Sequence, residues 1–175
     1  MPQKLVFMDL GTGVGITGIL ISKYTRVIMK DYNSDVLDNT WINVKLNQSQ
    51  CILMQLDWRN HSKISFQLDL IVGSDLVYQG IPLYDLYQTI LKLLSMLQEY
   101  FLEQNGKFYL IIPSNRMCTS EFIEIMNSEG LFEIQKELLE DEKYYKPCLQ
   151  DEEQSQQLYP GLKELQFQMY IFIKK

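Results

Sequence analysis

Apolar residues along the chain fall into two alternating kinds of run. Short, nearly unbroken ones at Lys4 to Leu10, Arg26 to Lys30, Cys51 to Leu56, Leu68 to Gly73 and Lys107 to Ile112 have the length expected of strands covered on both faces. Between them the period lengthens. A helix is predicted from about Ile16 to Tyr24. Asn33 or Ser34 can cap a second that presents Val36, Leu37, Trp41 and Val44 on one side before Asn47 ends it. Leu83, Leu86, Tyr87, Ile90, Leu93, Leu94 and Leu97 recur every three or four residues in the longest helix, with Asn105-Gly106 as its stop. That stripe is too short for a coiled-coil seam and suits packing on a sheet. Pro113 turns the chain out of the fifth strand, and Thr119 or Ser120 can cap a helix bearing Phe122, Ile125 and Met126, with Gly130 just past its end.

Leu131 to Leu139 and Leu165 to Ile173 then read as two strands with no helix between them. Parallel neighbours need a crossover, so this pair is expected to be antiparallel. The alternation predicts an α/β fold, a Rossmann-like, doubly wound sheet of seven strands, mostly parallel with a C-terminal antiparallel hairpin. The 175 residues, 46% of them hydrophobic, fit a single domain over residues 1–175. The connection at 140–164 is acidic and glutamine-rich, carrying Glu140-Asp141-Glu142 and Asp151-Glu152-Glu153. A loop of that length is functional or mobile; it is either a solvated hairpin loop or an acidic rim that attracts a basic polypeptide.

Charge and cysteine usage narrow the partners. The net charge is −6 and no basic cluster exceeds Lys174-Lys175, so nucleic acid is not expected as a partner. Cys51, Cys118 and Cys148 are scattered and read as reduced thiols, which predicts a cytoplasmic or nuclear setting. The lone histidine, His61, sits in the polar stretch Arg59-Asn60-His61-Ser62-Lys63 and assembles neither a zinc site nor a Ser-His-Asp arrangement, so no metal is expected. No apolar run reaches ~18 residues and no charged-then-apolar leader precedes Asp9, so neither membrane insertion nor secretion is expected.

Candidate chemistry concentrates in Phe7-Met8-Asp9-Leu10-Gly11-Thr12-Gly13-Val14-Gly15-Ile16-Thr17-Gly18, an acid and four glycines at a strand-to-helix turn. Gly13-x-Gly15-x-x-Gly18 formally fits the dinucleotide fingerprint, and Asp31 follows near the expected distance of ~20 residues. The competing pattern, Asp9-x-Gly11-x-Gly13-x-Gly15, puts a carboxylate where a pyrophosphate would be repelled. S-adenosylmethionine has no phosphate and carries a positive sulfonium and an α-amino group, which favour a strand-tip acid. An NAD-dependent oxidoreductase stays open as the alternative.

Asp9 through Gly18, Lys30-Asp31-Tyr32-Asn33, Leu56-Asp57-Trp58 and Gly73-Ser74-Asp75-Leu76-Val77-Tyr78 together resemble, in order and spacing, methyltransferase family 16. This group of class I S-adenosylmethionine-dependent enzymes includes many protein-lysine methyltransferases, marked by an Asp-x-x-Tyr element after strand four that Asp75 and Tyr78 match. The resemblance implies that Asp9, Gly11, Thr12, Gly13 and Gly15 surround the methionine portion of the cofactor. It also implies that Asp31, with Tyr32 beside it, holds the ribose, that Asp57 and Trp58 address the adenine, and that Ser74 borders the transfer centre. Asp75 would orient an incoming amine and Tyr78 would line its channel, the cofactor leaving as S-adenosylhomocysteine. The Asn- or Asp-Pro-Pro-aromatic element of base-methylating enzymes is missing, which moves nucleic acid down the list and points to a protein substrate. Family members carry additional residues before the first strand that cover the cofactor. Here only Met1 to Gln3 precede it, so poor catalysis by the isolated chain is expected. A monomer or a hetero-complex is the expected state. A non-catalytic partner subunit with the same fold is the second alternative. Bonds to a charged group contribute roughly 1.5–3 kcal/mol, so Asp31→Ala is expected to weaken S-adenosylmethionine binding about ten- to a hundredfold in a calorimetric titration. An unchanged dissociation constant would remove Asp31 from the site.

Overall fold

Every strand expected from the apolar runs is present in the computed structural model, which describes residues 6–63, 68, 70–100, 106–139 and 166–175, without the side chains of 61–63 and 96–100. Lys4 and Leu5, Asn105, Cys148, the connection at 140–164 and the side chains of His61 and Leu97 lie outside the described residues. Along the chain run β1 (Val6–Leu10), α1 (Ile16–Ile21), β2 (Arg26–Asp31), α2 (Ser34–Leu46) and β3 (Cys51–Gln55). A 3-10 segment at Trp58–Lys63 leads to β4 (Leu70–Ser74), α3 (Leu83–Tyr100), β5 (Lys107–Pro113), α4 (Thr119–Asn127), β6 (Phe132–Leu139) and β7 (Phe167–Lys174).

These strands form a seven-stranded sheet in the order β3-β2-β1-β4-β5-β7-β6. The first five pair in parallel, and β7 lies antiparallel between β5 and β6, as the absence of a predicted crossover helix required. Strand side chains alternate between two covered faces. Met8, Leu10, Ile28, Ile71, Phe108, Leu110 and Phe172 pack with Leu86, Tyr87, Ile90, Leu93 and Leu94 of α3 and with Phe122 and Met126 of α4. On the other face Phe7, Val27, Met29 and Val72 meet Ile19 of α1 and Val44 of α2. This two-sided burial explains why the parallel strands read as continuous apolar runs. Among the described residues no helix is long and apolar enough to cross a membrane.

Three local expectations are corrected. Helix α1 ends at Ile21 rather than Tyr24, because the Ser22 hydroxyl bonds the Ile19 carbonyl at 2.7 Å and the Tyr24 N–H closes a tighter turn on Ile21. On α2 the side turned inward is set by Thr40 and Val44, leaving Trp41 49% exposed beneath the Lys45 ammonium, 4.2 Å from its ring centre. Helix α4 is preceded by Cys118 in the left-handed region, at φ 66°, and the Thr119 hydroxyl that was expected to cap it donates backwards to the Arg116 carbonyl at 2.9 Å.

Phe172 sits fully buried among Phe108, Phe122, Phe132 and Tyr170, with ring centres 5.6 to 6.4 Å away. Truncating it opens a cavity where β7 meets both α4 and β5. Phe172→Ala is expected to lower the unfolding free energy by about 3–5 kcal/mol in a urea titration. Trp41→Ala should lose about 1 kcal/mol or less, and comparable losses for the two would contradict this assignment of the core.

Candidate active site

The chain leaves β1 for β2 and β3 on one side of the sheet and returns to β4 and β5 on the other. Open α/β sheets bind ligands in the crevice that such a reversal creates beyond the carboxyl ends of the strands. Asp9 and the loop from Gly11 to Gly15 lie there at the end of β1, Asp31 and Tyr32 at the end of β2, Asp57 and Trp58 past β3, and Ser74, Asp75 and Tyr78 past β4. The fold thus brings the sequence-derived candidates to one edge of one sheet.

Gly11, Gly13 and Gly15 all have positive φ, at 67°, 54° and 89°, so the loop has no regular hydrogen-bond ladder of its own. Its backbone is satisfied from outside. The Thr12 N–H donates to the Lys30 carbonyl at 2.9 Å, the Gly13 N–H to Asp31 Oδ2 at 3.1 Å, and the Gly15 N–H to the Thr12 carbonyl at 2.9 Å. Asp9 Oδ2 accepts the Thr12 hydroxyl at 2.7 Å and the Gly18 N–H at 3.1 Å. Asp9, expected to help surround the methionine portion of the cofactor, has this oxygen engaged within the loop and is 2% exposed. Burial pushes its carboxyl up to about 6, partly countered by the bonds from Thr12 and Gly18, while the charge of Asp31 adds to the rise. A Cβ on Gly15 would sit 2.7 Å from both Met29 Cε and Thr40 Cγ2, whereas one on Gly13 would meet nothing within 4 Å. Gly15 is therefore the packed side of the loop and Gly13 the open side.

Asp31 spends bonds locally as well, Oδ1 accepting the Asn33 N–H at 3.1 Å. A carboxylate oxygen has two lone pairs, so each keeps one acceptor position. Asp57 is held from its own side. Arg59 Nε lies 2.9 and 3.1 Å from its two oxygens, Arg59 Nη2 2.6 Å from Oδ2, and the Arg59 N–H 3.0 Å from Oδ1. These bonds keep the Asp57 carboxyl below the usual carboxylate range. Tyr32, Asp57, Trp58, Arg59 and Tyr78, together with the turn at 79–82, line an open cleft of ≈ 440 Å³. Partial burial raises the Tyr78 hydroxyl above its ordinary value, and Tyr32, Asp31 and Asp75 add to the rise, so these groups share one electrostatic neighbourhood.

Asp75 adopts the left-handed conformation at φ 54°, which an aspartate tolerates better than most residues, and its N–H donates to the Ile111 carbonyl at 2.8 Å. Arg116, in the loop between β5 and α4, grips its carboxylate with two donors, Nε to Oδ1 at 2.7 Å and Nη2 to Oδ2. This pair was not anticipated from sequence, nor was Arg59. The available signal for Arg116 was its place just past the carboxyl end of β5, the strand beside β4, where an α/β sheet places functional loops.

A family model described as lysine methyltransferase matches residues 2–129. No curated protein matches the sequence. Among solved structures, the PH0226 protein of Pyrococcus horikoshii OT3 superposes with a TM-score of 0.66 at 15% identity, covering 100% of this chain and 84% of that one. A TehB-like S-adenosylmethionine-dependent methyltransferase from Corynebacterium glutamicum reaches 0.63 at 16% identity, over 100% of this chain and 83% of its own. An rRNA methylase from Streptococcus thermophilus reaches 0.62 at 13% identity, over 98% and 87%. Likeness at such low identity shows the fold, which is that of class I S-adenosylmethionine-dependent methyltransferases, and the neighbours include an rRNA methylase and a ribosomal protein L11 methylase.

The raised Asp9 carboxyl carries a pH signature. The folded chain keeps this proton up to about pH 6, while the unfolded chain releases it near its usual 3.8. The stability contributed by the protonated group is thus complete below about pH 3.8 and is lost as pH rises through about 6, a change of about 3 kcal/mol. The unfolding free energy of Asp9→Asn minus that of the unaltered protein is expected to grow across this window. A difference that stays flat between pH 4 and pH 7, in parallel urea titrations, would show that Asp9 titrates as an exposed acid does.

Proposed function

The chain belongs to the lysine methyltransferase family whose model matches it over residues 2–129, and from that membership we propose that it transfers a methyl group from S-adenosylmethionine to a lysine side chain of a protein. The observation that carries this reading is the meeting, in one crevice, of the acid-and-glycine loop after β1 with Asp75 and Tyr78 after β4. The residues suit this cofactor. The carboxylates of Asp9 and Asp31 flank the loop, an electrostatic setting that favours a positive sulfonium and disfavours a pyrophosphate, which counts against the NAD alternative. Asp31 retains acceptor positions for vicinal hydroxyls, and Trp58 and Tyr32 offer flat faces to a purine in the cleft. Asp57, engaged by Arg59, would meet the base as one half of an ion pair rather than as a lone acceptor.

The cofactor, when bound, supplies a methyl group already activated on positive sulfur, so the chain's own work is placement and control of the acceptor's proton. A lysine amine attacks only when neutral. Tyr78 and its aromatic neighbours provide a partly dry wall that lowers the amine's pKa. Asp75 would accept an N–H from the amine and set its direction. Because Arg116 balances its charge, Asp75 stabilises an ammonium less than a lone carboxylate would, and deprotonation stays accessible.

The test is a transfer assay with methyl-labelled S-adenosylmethionine and cell lysate, in which label recovered after acid hydrolysis as N-methyl-lysine supports the proposal. Recovery in methyl-histidine, methyl-arginine or the RNA fraction would overturn the acceptor, and binding of S-adenosylhomocysteine without any transfer would favour the non-catalytic partner. In the same assay Asp75→Ala and Tyr78→Phe should lower turnover about tenfold or more while the dissociation constant for S-adenosylhomocysteine stays within about twofold. Equal losses in both quantities would contradict roles on the acceptor side.

A further inference from the structure

Two carbonyls in the glycine loop are held from behind by a helix that carries no residue of the expected cofactor set. Thr40 Oγ1 lies 2.5 Å from the Gly13 carbonyl and 2.8 Å from the Val36 carbonyl one turn back on α2, so its single proton is shared between the two, and Asn43 Nδ2 donates to the Val14 carbonyl at 2.8 Å. Residues three apart share one face of a helix, so α2 presents both side chains to two successive peptide planes. The geometry of the trans peptide then decides what faces the other way. With the Gly13 carbonyl turned to α2, the Val14 N–H must point away from it, because the two lie antiparallel across one planar unit. With the Val14 carbonyl also turned to α2, the next N–H, of Gly15, points back into the loop, where it meets the Thr12 carbonyl at 2.9 Å.

The Val14 N–H has no partner among the described residues, and its neighbour Gly13 lies on the side of the loop where an added Cβ would meet nothing within 4 Å. Val14 itself is 50% exposed. The loop cannot hold this arrangement alone, since glycines at 11, 13 and 15 leave its backbone free to turn. Thr40 is fully buried, and Thr40 Cγ2 also closes the space beside Gly15, so its position is set by packing.

We propose that Thr40 and Asn43 are positioning residues for cofactor binding, which aim the Val14 N–H at the carboxylate of the methionine portion of S-adenosylmethionine. The proposal rests on the cofactor reading above. A hydroxyl and an amide on α2 act through the loop and need not touch the ligand. Their effect is that the donor is already aimed before the ligand arrives, and a preset donor binds a charged acceptor without a cost of ordering.

The test compares Thr40→Val, which keeps the shape and removes the hydroxyl, Thr40→Ser, which restores it, and Asn43→Ala on the partly exposed side. Calorimetric titration with S-adenosylhomocysteine is expected to show about tenfold weaker binding for Thr40→Val and for Asn43→Ala, with Thr40→Ser within about twofold of the unaltered protein. Amide hydrogen exchange without ligand should quicken at Gly13 and Gly15 in the two weakened variants and stay unchanged in β5 and β7. Unaltered affinity in both variants, or failure of serine to restore it, would overturn the proposal. Unchanged exchange at Gly13 and Gly15 would overturn it whatever the affinities. Failure of the unaltered protein to bind S-adenosylhomocysteine would overturn the cofactor reading instead, and the exchange rates would still show whether α2 braces the loop.

Discussion

A backbone segment with three left-handed glycines cannot satisfy its own polar groups, and the architecture around the β1 turn answers that constraint. The loop's amides and carbonyls are taken up by Lys30 and Asp31 of β2, by Thr40 and Asn43 of α2, and by Asp9 at the end of β1. The partners on β1 and β2 are placed by the sheet register, with Asp9 opposite Met29 and Leu10 opposite Lys30 in adjacent parallel strands. The loop is thus rigid by virtue of its surroundings, and one face of it is left open toward the strand tips.

The same acids that frame the crevice also stabilise the fold, and the two duties limit each other. Asp31 bonds the Gly13 and Asn33 amides, and Asp9 bonds Thr12 and Gly18, so neither is a free carboxylate waiting for a ligand. Burial of Asp9 is unfavourable for its charge, and a cation beside it would relieve that penalty. Across the crevice, Asp57 and Asp75 each carry an arginine, while among the described residues no ion pair reaches Asp9 or Asp31. That difference in charge favours a ligand that is cationic near the loop and neutral near Asp57 and Asp75.

Much of this was legible in the chain itself. Gly11, Gly13 and Gly15 after an apolar run mark a strand-to-helix turn because glycine reaches such left-handed dihedrals without the strain other residues incur. The positions of Asp31, which ends β2, and Tyr78, which follows β4, were legible because a parallel sheet aligns the tips of its strands. Arg116 was not, since its contact with Asp75 spans 41 positions and depends on β4 and β5 being neighbours. Trp41 was placed inward by periodicity alone, while the actual face of α2 is set by Thr40 reaching the Gly13 carbonyl, 27 positions away.

By itself the sequence determined the order of strands and helices, the antiparallel ending and the location of the glycine-rich turn after β1, because each follows from residues close together in the chain and from the dihedrals and burial periods they allow. Only the tertiary structure decided which polar groups are already engaged, which are left to meet a ligand, and that two arginines stand beside the outer acids. Those choices depend on distances across the sheet, and no local preference of a residue encodes who its neighbour will be once strands from remote parts of the chain lie side by side.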